Sequence, residues 1–254
     1  VSAILTAVTA RRRGGRIPVA LTFDDDLTSH AERAAPLLRR YGLPAAFFVC
    51  GASLSAPHAF WWEDLQRGLD EGLLGEELPY VARSLVAAAR AREPGAATAL
   101  AAAVEELTPE RRQAVAESLR ALVGAPPPDA GLRAPQVRAL ADAGFDVGFH
   151  TLRHDRLPDL DGDALAAAMC DGRNRLGGVV GQALRLIAYP HGRADERVAA
   201  AARAAGFGLG LAGGERAVLP DDDPLLVPRV EPRASAAGAF AVVLARFVSG
   251  RLAR

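Results

Sequence analysis

Apolar residues fall along this chain in two alternating patterns, short unbroken runs and longer stretches at helical spacing. Val19-Ala20-Leu21-Thr22-Phe23 reads as a buried strand, and it stops on three carboxylates, Asp24-Asp25-Asp26. Ser29 and Glu32 then have the spacing of a capping box. Ala34, Leu37, Leu38 and Tyr41 give one apolar face to a helix ending at Gly42, with a kink expected at Pro36. Pro44 opens a second apolar run, residues 45–49, and a strand, a helix and a strand in succession predict parallel pairing through a right-handed crossover.

Over residues 59–130 the strand signals disappear, and helical periodicity continues for much longer than one crossover requires. Thr108-Pro109-Glu110 combines a cap, a first-turn proline and an acid at the positive end of the helix dipole. The proline-rich stretch 125–129 closes the segment. It reads as a helical insertion rather than an independent domain. Beyond it the spacing predicts a helix over 135–143, a strand over 145–149 delivering His150, and a helix over about 163–176. A strand over 184–189 then ends at Pro190-His191-Gly192, followed by a helix over 196–205 and a glycine-weakened strand over 206–211. The tail, 236–252, carries Phe240, Val243, Leu244 and Phe247 at helical spacing and is expected to dock against the rest.

A chain of 254 residues, half of them hydrophobic, can bury a substantial core, and a single α/β barrel suits that length. Thirty basic residues balance thirty acidic ones, so no bulk field draws the chain to nucleic acid. Every basic residue is Arg. The absence of Lys removes Schiff-base and P-loop lysine chemistry. Cys50 and Cys170 lie in different expected elements and support neither a disulfide framework nor a cysteine-rich zinc site. Residues 1–10 are mildly apolar but precede Arg11-Arg12-Arg13, the reverse of the charge order in a secretory signal, and no apolar run is long enough to span a bilayer. A cytoplasmic or membrane-peripheral location is the expectation, and the sequence does not specify an oligomeric state.

Candidate chemistry concentrates at strand ends. Three adjacent carboxylates repel one another unless something positive sits among them, and a metal ion is the simplest such partner. His150 and His154 are four residues apart, a spacing that places two imidazoles on one face of a helical turn. Two imidazoles and a carboxylate make a three-ligand site with open coordination positions. Because barrel enzymes build their sites from loops after the strands, the acid cluster and the histidine pair are expected to meet.

These residues carry a resemblance. Thr-Phe-Asp-Asp at 22–25, His-Thr-x-x-His at 150–154 and Ala-Tyr-Pro-x-Gly at 188–192 resemble three ordered motifs of the polysaccharide deacetylase family, the NodB-homology domains of carbohydrate esterase family 4, in its Ala-Tyr-Pro-x-Gly subgroup. The likeness extends to residues 44–49, to Phe60-Trp61-Trp62-Glu63 and to Leu226-Val227-Pro228-Arg229. It implies a distorted (β/α) barrel with a helical insertion after the second strand. It further implies a hydrolase that removes acetyl groups from N-acetylated sugars of a polysaccharide or glycolipid. By the same resemblance Asp24 is the base, while Asp25, His150 and His154 hold a divalent ion, zinc first, with cobalt, nickel or manganese as alternatives. The backbone N–H of His191 is the matching oxyanion donor. The residues themselves agree on one point: adjacent carboxylates leave an extended backbone in opposite directions, so one can bind metal while the other stays free.

Several positions depart from the family pattern. Asp26 stands where the first motif continues with Gly. It is either a turn residue or an extra charge that perturbs Asp24 or competes as a ligand. Ala188 stands where many relatives have a base-orienting Arg, and Arg229 either supplies that charge or is a surface residue. The C-terminal Leu-x-His that provides a general acid is missing. His191 is then a proton donor if its ring faces the metal, and otherwise a solvent-facing loop residue. His30 and His58 receive no role. Tyr189, Pro190 and one of Trp61 and Trp62, taken here as Trp62, are candidates for sugar contact, since neighbours on a helix do not share a face. Two other readings stay open: hydrolysis of a small cyclic amide or imide on the same metal site, and a carbohydrate-binding module that has lost turnover.

Overall fold

The computed structural model describes residues 1–11, 16–214, 216–231 and 237–248. Its elements in chain order begin with helix α1 (Ile4–Thr9), strand β1 (Leu21–Asp24), a π-helical turn (His30–Ala34) running into α2 (Ala35–Arg40), and β2 (Ala45–Val49). Four helices follow, α3 (Trp61–Asp70), α4 (Arg83–Arg90), α5 (Ala96–Glu105) and α6 (Pro109–Val123). The chain continues through α7 (Ala134–Asp142), β3 (Asp146–Phe149), α8 (Gly162–Cys170), α9 (Arg173–Val180), β4 (Leu186–Ala188), α10 (Glu196–Ala204), β5 (Leu209–Gly213), β6 (Val227–Arg229) and α11 (Ala237–Val248). These elements form two compact units, Val1–Ser55 with Leu132–Arg254, and Ala56–Gly131.

In the first unit six strands pair in sequence order, every pairing parallel. Six strands laid flat would put β1 and β6 about 24 Å apart at the usual spacing of roughly 4.8 Å. Yet Arg229 on β6 reaches Thr22 Oγ1 on β1 at 3.3 Å. The sheet therefore curls into a half-barrel, and among the described residues no ladder joins β1 to β6 to close it. The curl is the distortion of the expected barrel, and it brings the first and last strand ends to one place.

Strand β2 is buried at every position. Phe47 and Val49 join the larger core with Leu38, Leu140, Phe149, Leu176 and Ile187, whereas Ala46 and Phe48 point to a smaller one with Ala188, Leu209, Leu211 and Val227, capped by Leu5 of α1. A fully buried Phe contributes about 2 to 3 kcal/mol by removing apolar surface from water. Gly148 on β3 is where the inner face narrows, because a Cβ there would run into the Phe48 ring.

Local chemistry revises several expected boundaries. Ser29 takes helical dihedrals (φ −59°, ψ −20°) and makes no side-chain cap, so the expected capping box is not formed. The helix runs without a break over residues 28–40, and the irregularity at Pro36 takes the form of a π-helical stretch, His30–Ala34, just before it, in which the Ala35 N–H bonds to the His30 carbonyl. The helix expected over 163–176 breaks at Gly172 (φ 78°), which opens α9 in a left-handed conformation. In the tail, Phe240 and Val242 are exposed, while the side chains of Leu244 and Phe247, the ends of the expected helix at 236 and 252, and Arg12 and Arg13 lie outside the described residues.

The second unit packs α3 to α6 around Leu65, Val86, Leu100, Val104, Val115 and Leu119. Thr108 caps α6 as its sequence predicts, accepting from the Arg111 N–H. Asp64, almost wholly buried, is gripped by Arg120, whose Nε lies 2.7 Å from its Oδ2 and which also donates to the Ala59 carbonyl at 2.7 Å. Trp61 packs against this core. Trp62 turns away from it and stacks on Phe60, rings 4.6 Å apart and 4° from parallel.

Candidate functional site

Parallel strands in a curled sheet deliver their C-terminal ends to one rim, and the expected clusters meet there. Asp24 is the last residue of β1, and Asp25 turns out of the strand with φ 75°. His150 follows β3 directly, its backbone N–H still bonded to the Val49 carbonyl at 3.0 Å. The two imidazoles do not share a helical face as expected. Residues 150–154 form a loop in which Thr151 (φ 57°) and His154 (φ 55°) are left-handed, and this turns both rings toward each other, centroids 4.9 Å apart. His191, at φ 59° in the loop after β4, sets its ring edge-to-face on His154 at 4.5 Å while remaining exposed. Among the described residues six non-glycine positions have positive φ, and four of them, Asp25, Thr151, His154 and His191, lie in this cluster. Each costs on the order of 1 kcal/mol or more, so the surrounding fold must hold them there.

The donor geometry suits a cation. Asp25 Oδ1 lies 3.3 Å from His154 Nε2 and 3.5 Å from His150 Nε2, and the three ligand atoms fall within 4.8 Å of one another. His150 is only 2% exposed, and its Nδ1 sits 2.8 Å from the Ala188 carbonyl. A carbonyl only accepts, so Nδ1 carries the proton and Nε2 presents its lone pair to Asp25. Asp25 Oδ1 is buried and has no hydrogen-bond partner. A buried carboxylate oxygen facing two imidazole nitrogens is a donor set of the kind a divalent metal takes, so these residues fit such an ion. Burial raises the Asp25 carboxyl above its ordinary range, with the charges of Asp24 and Asp26 adding to it and the neighbouring His150 ring and Arg229 opposing.

Asp24 is held differently. Arg229 grips both of its oxygens, Nη1 to Oδ1 at 2.7 Å and Nη2 to Oδ2 at 2.6 Å, with the guanidinium 5.9 Å from the centre of the Phe48 ring. Burial pushes Asp24 up, but the neighbouring His150 ring and the hydrogen bonds and charge of Arg229 outweigh it and hold the carboxyl below its ordinary range. Asp24 Oδ2 is 3.8 Å from His150 Nε2, beside the ligands but not among them.

Other sequence candidates land elsewhere. Tyr189 is wholly buried with its hydroxyl donating to the Leu225 carbonyl at 2.8 Å, and Pro190 is buried too. Both are therefore core residues and not sugar contacts. Gly192 (φ 65°) closes this loop against β5, where a Cβ would come within 2.7 Å of Gly213 Cα. Asp26 is 4% exposed and accepts from the loop after β2, so it is neither a bare turn residue nor a competing ligand. The left-handed conformation belongs to Asp25 instead. Sequence reasoning gave no role to His30, which is buried between the rings of Phe23 and Phe47. Its position five residues beyond Asp25 was the available signal.

A curled parallel sheet with an Asp-His-His cluster that could hold a metal and an Arg-clamped carboxylate at one rim defines the class, an α/β enzyme-type scaffold. The model of the polysaccharide deacetylase family matches residues 11–76 and 112–210, more than half of the chain, and the chain belongs to that family. Among solved structures it is similar to IcaB from Ammonifex degensii, at 18% identity and TM-score 0.56, over 96% of this chain and 77% of that one. It is also similar to the deacetylase PplD of Streptococcus pyogenes, solved in complex with acetate (18%, 0.54, 89% and 70%), and to a de-N-acetylase from Aggregatibacter actinomycetemcomitans (14%, 0.53, 94% and 80%). At these identities the likeness speaks for the fold. No curated protein sequence matches the chain. No helix among the described residues is long and apolar enough to cross a membrane.

Proposed function

We propose that this member of the family is a metal-dependent hydrolase that removes acetyl groups from N-acetylated sugars of a polysaccharide or glycolipid, within the Ala-Tyr-Pro-x-Gly subgroup. The observation that carries the reading is the division of labour between two neighbouring carboxylates: Asp25 Oδ1 faces two imidazoles with no hydrogen-bond partner, while Asp24 is clamped by Arg229. Asp25, His150 and His154 would hold the ion, zinc before cobalt, nickel or manganese. A bound divalent ion there supplies Lewis acidity toward a carbonyl oxygen and acidifies water.

The chain's own residues do the rest. Asp24 stays ionised because Arg229 stabilises its charge, and each of its oxygens retains a lone-pair site beyond the bond to Arg229, so it can take the proton of the attacking water. Arg229 also fixes the carboxylate plane, which keeps the base aimed beside the histidine pair. The backbone N–H of His191 would donate to the oxyanion formed as water adds to the acetyl carbon. Acetate and a free amine result once the leaving nitrogen is protonated. Asp24 can return its proton, since a carboxyl held below its ordinary range is a strong acid once protonated, and the His191 imidazole beside His154 is the second available donor.

The test is acetate release from N-acetylglucosamine oligomers by zinc- or cobalt-loaded protein, with a chelated control. Release that stops on chelation and returns with metal is expected. Stoichiometric metal without acetate from any N-acetylated glycan would overturn the proposal, and turnover of a cyclic amide or imide instead would reassign the substrate.

A further inference from the structure

The third carboxylate of the cluster has a built environment of its own. Asp26 Oδ1 accepts from the Cys50 N–H at 2.7 Å and the Gly51 N–H at 3.1 Å, and Oδ2 accepts from the Ser53 N–H at 3.2 Å. Ser53 Oγ lies 3.0 Å from Oδ2 and 2.7 Å from the Leu132 carbonyl, which share its single proton. The Asp26 carbonyl in turn accepts from the Leu132 N–H at 2.8 Å. Asp26 thus ties the end of β1 to the loop after β2 through its side chain and to the segment that enters α7 through its carbonyl. Asp26 and Ser53 are both buried, 4% and 0% exposed.

The knot sits one residue beyond Asp25, which holds its left-handed conformation without glycine. A left-handed Asp would relax to an ordinary conformation if its neighbours allowed it. Asp24 is fixed on one side by Arg229, and Asp26 is fixed on the other by four donors, so the backbone of Asp25 has no slack in which to relax. The same loop meets the second ligand: Cys50 Sγ lies 3.7 Å from the His150 carbonyl, and the Val49 carbonyl holds the His150 N–H.

We propose that Asp26 is a positioning residue for the metal: by gripping residues 50–53 it holds Asp25 in its strained conformation, carboxylate toward His150 and His154, before any ion arrives. This rests on the reading of Asp25, His150 and His154 as ligands. Asp26→Asn is the sharp variant, because an amide cannot accept at both positions and would turn an N–H₂ group toward either the Cys50 and Gly51 donors or the Ser53 N–H.

Zinc affinity is measured by chelator competition for wild type, Asp26→Asn and His150→Ala, all confirmed folded by circular dichroism, and the visible spectrum of each cobalt-loaded protein is recorded. Partners that orient metal ligands typically matter by roughly 10- to 100-fold in metal affinity, and a loss of that size with a shifted cobalt spectrum is expected for Asp26→Asn. Affinity within twofold of wild type would overturn the positioning role. Weaker affinity with an unchanged cobalt spectrum would also overturn it, since the effect would then lie in the charge of Asp26 and not in its grip. If Asp26→Asn does not fold, Ser53→Ala removes one donor and keeps the backbone grip, with a loss of about fivefold expected on the same readouts and the same outcomes counting against the proposal. Wild-type protein that fails to bind zinc would sink the metal reading itself, whereas tight wild-type binding with indifferent variants would sink only the role of Asp26.

Discussion

Each unit of the molecule clamps a carboxylate with an arginine, and the two clamps differ in what surrounds them. In the helical unit Asp64 is 2% exposed, Arg120 holds it, and Arg67 stands 3.9 Å from it. Cations outnumber the acid, and the helices that carry these residues have ordinary dihedrals. At the sheet rim Asp24 is 26% exposed and equally well clamped. Its neighbours, however, are a second carboxylate that faces two imidazoles, and four left-handed residues lie in the cluster. The first arrangement closes a core. The second spends stability on a local geometry that the fold itself does not require, as a site built for chemistry does.

The strongest test of that contrast removes a ligand and a base in parallel. His150→Ala should abolish tight zinc retention and lower acetate release by on the order of 10³-fold or more, because several kcal/mol of charge stabilisation leave with the ion. Asp24→Asn should keep zinc and lose about 10²- to 10⁴-fold in rate, the range for a missing general base. Equal metal loss in the two variants would show that the aspartates' roles have been exchanged.

Arg229→Gln comes next. Losing both hydrogen bonds should cost roughly 10- to 100-fold in rate, with zinc retained. The pH profile supplies the sign. Arg229 helps hold the Asp24 carboxyl below its ordinary range, so the base stays deprotonated into acid. Without it the carboxyl rises, and the acidic limb of the rate profile should move to higher pH. A limb that stays put would mean that Arg229 does not act through Asp24.

Arg120→Ala should behave in the opposite way: destabilisation by about 2 kcal/mol, less than for a fully buried pair because Arg120 is itself 37% exposed, with zinc affinity intact. Denaturant midpoints and chelator competition on one preparation read both quantities. Zinc affinity falling with stability would erase the distinction between the two clamps.

How far this difference could be read from residues alone depended on range. The strand ending in acids was legible because an apolar run against three carboxylates is a local contrast, and His150 was legible as the residue that follows such a run. Arg229 was half legible: its charge was visible, but only the curl of the sheet puts a residue of the last strand on one of the first. The loop geometry was not legible. Spacing of four suggested a helical turn for His150 and His154, whereas Thr151 and His154 take left-handed conformations that no composition signals. The role of Asp26, turn residue or extra charge from the sequence, was not legible because its partners, Cys50, Gly51, Ser53 and Leu132, are set by tertiary contact. Tyr189 and Pro190 are candidates for sugar contact in the sequence for the converse reason, since a motif at a strand end does not say which of its side chains point inward.

The smallest expected effect concerns the ring behind the acids. His30 is 6% exposed, between Phe23 and Phe47, and burial holds its pKa below the ordinary histidine value although Asp24, Asp26 and the Asp25 backbone pull it upward. The unfolded chain takes up a proton near the ordinary value of about 6.5, and the folded one does so only at lower pH. Between the two the unfolded state binds more protons, so stability rises with pH across that window and falls as the solution is acidified below about 6.5. The slope from this one group cannot exceed about 1.4 kcal/mol per pH unit. His30→Phe keeps an aromatic ring of similar size and removes the titration, so its denaturant midpoint should vary less over about pH 5 to 7 than that of the wild type. Identical slopes would show that His30 is as inert to protons as the helical core, and the site's rear wall would then belong with the clamp at Asp64, as packing and no more.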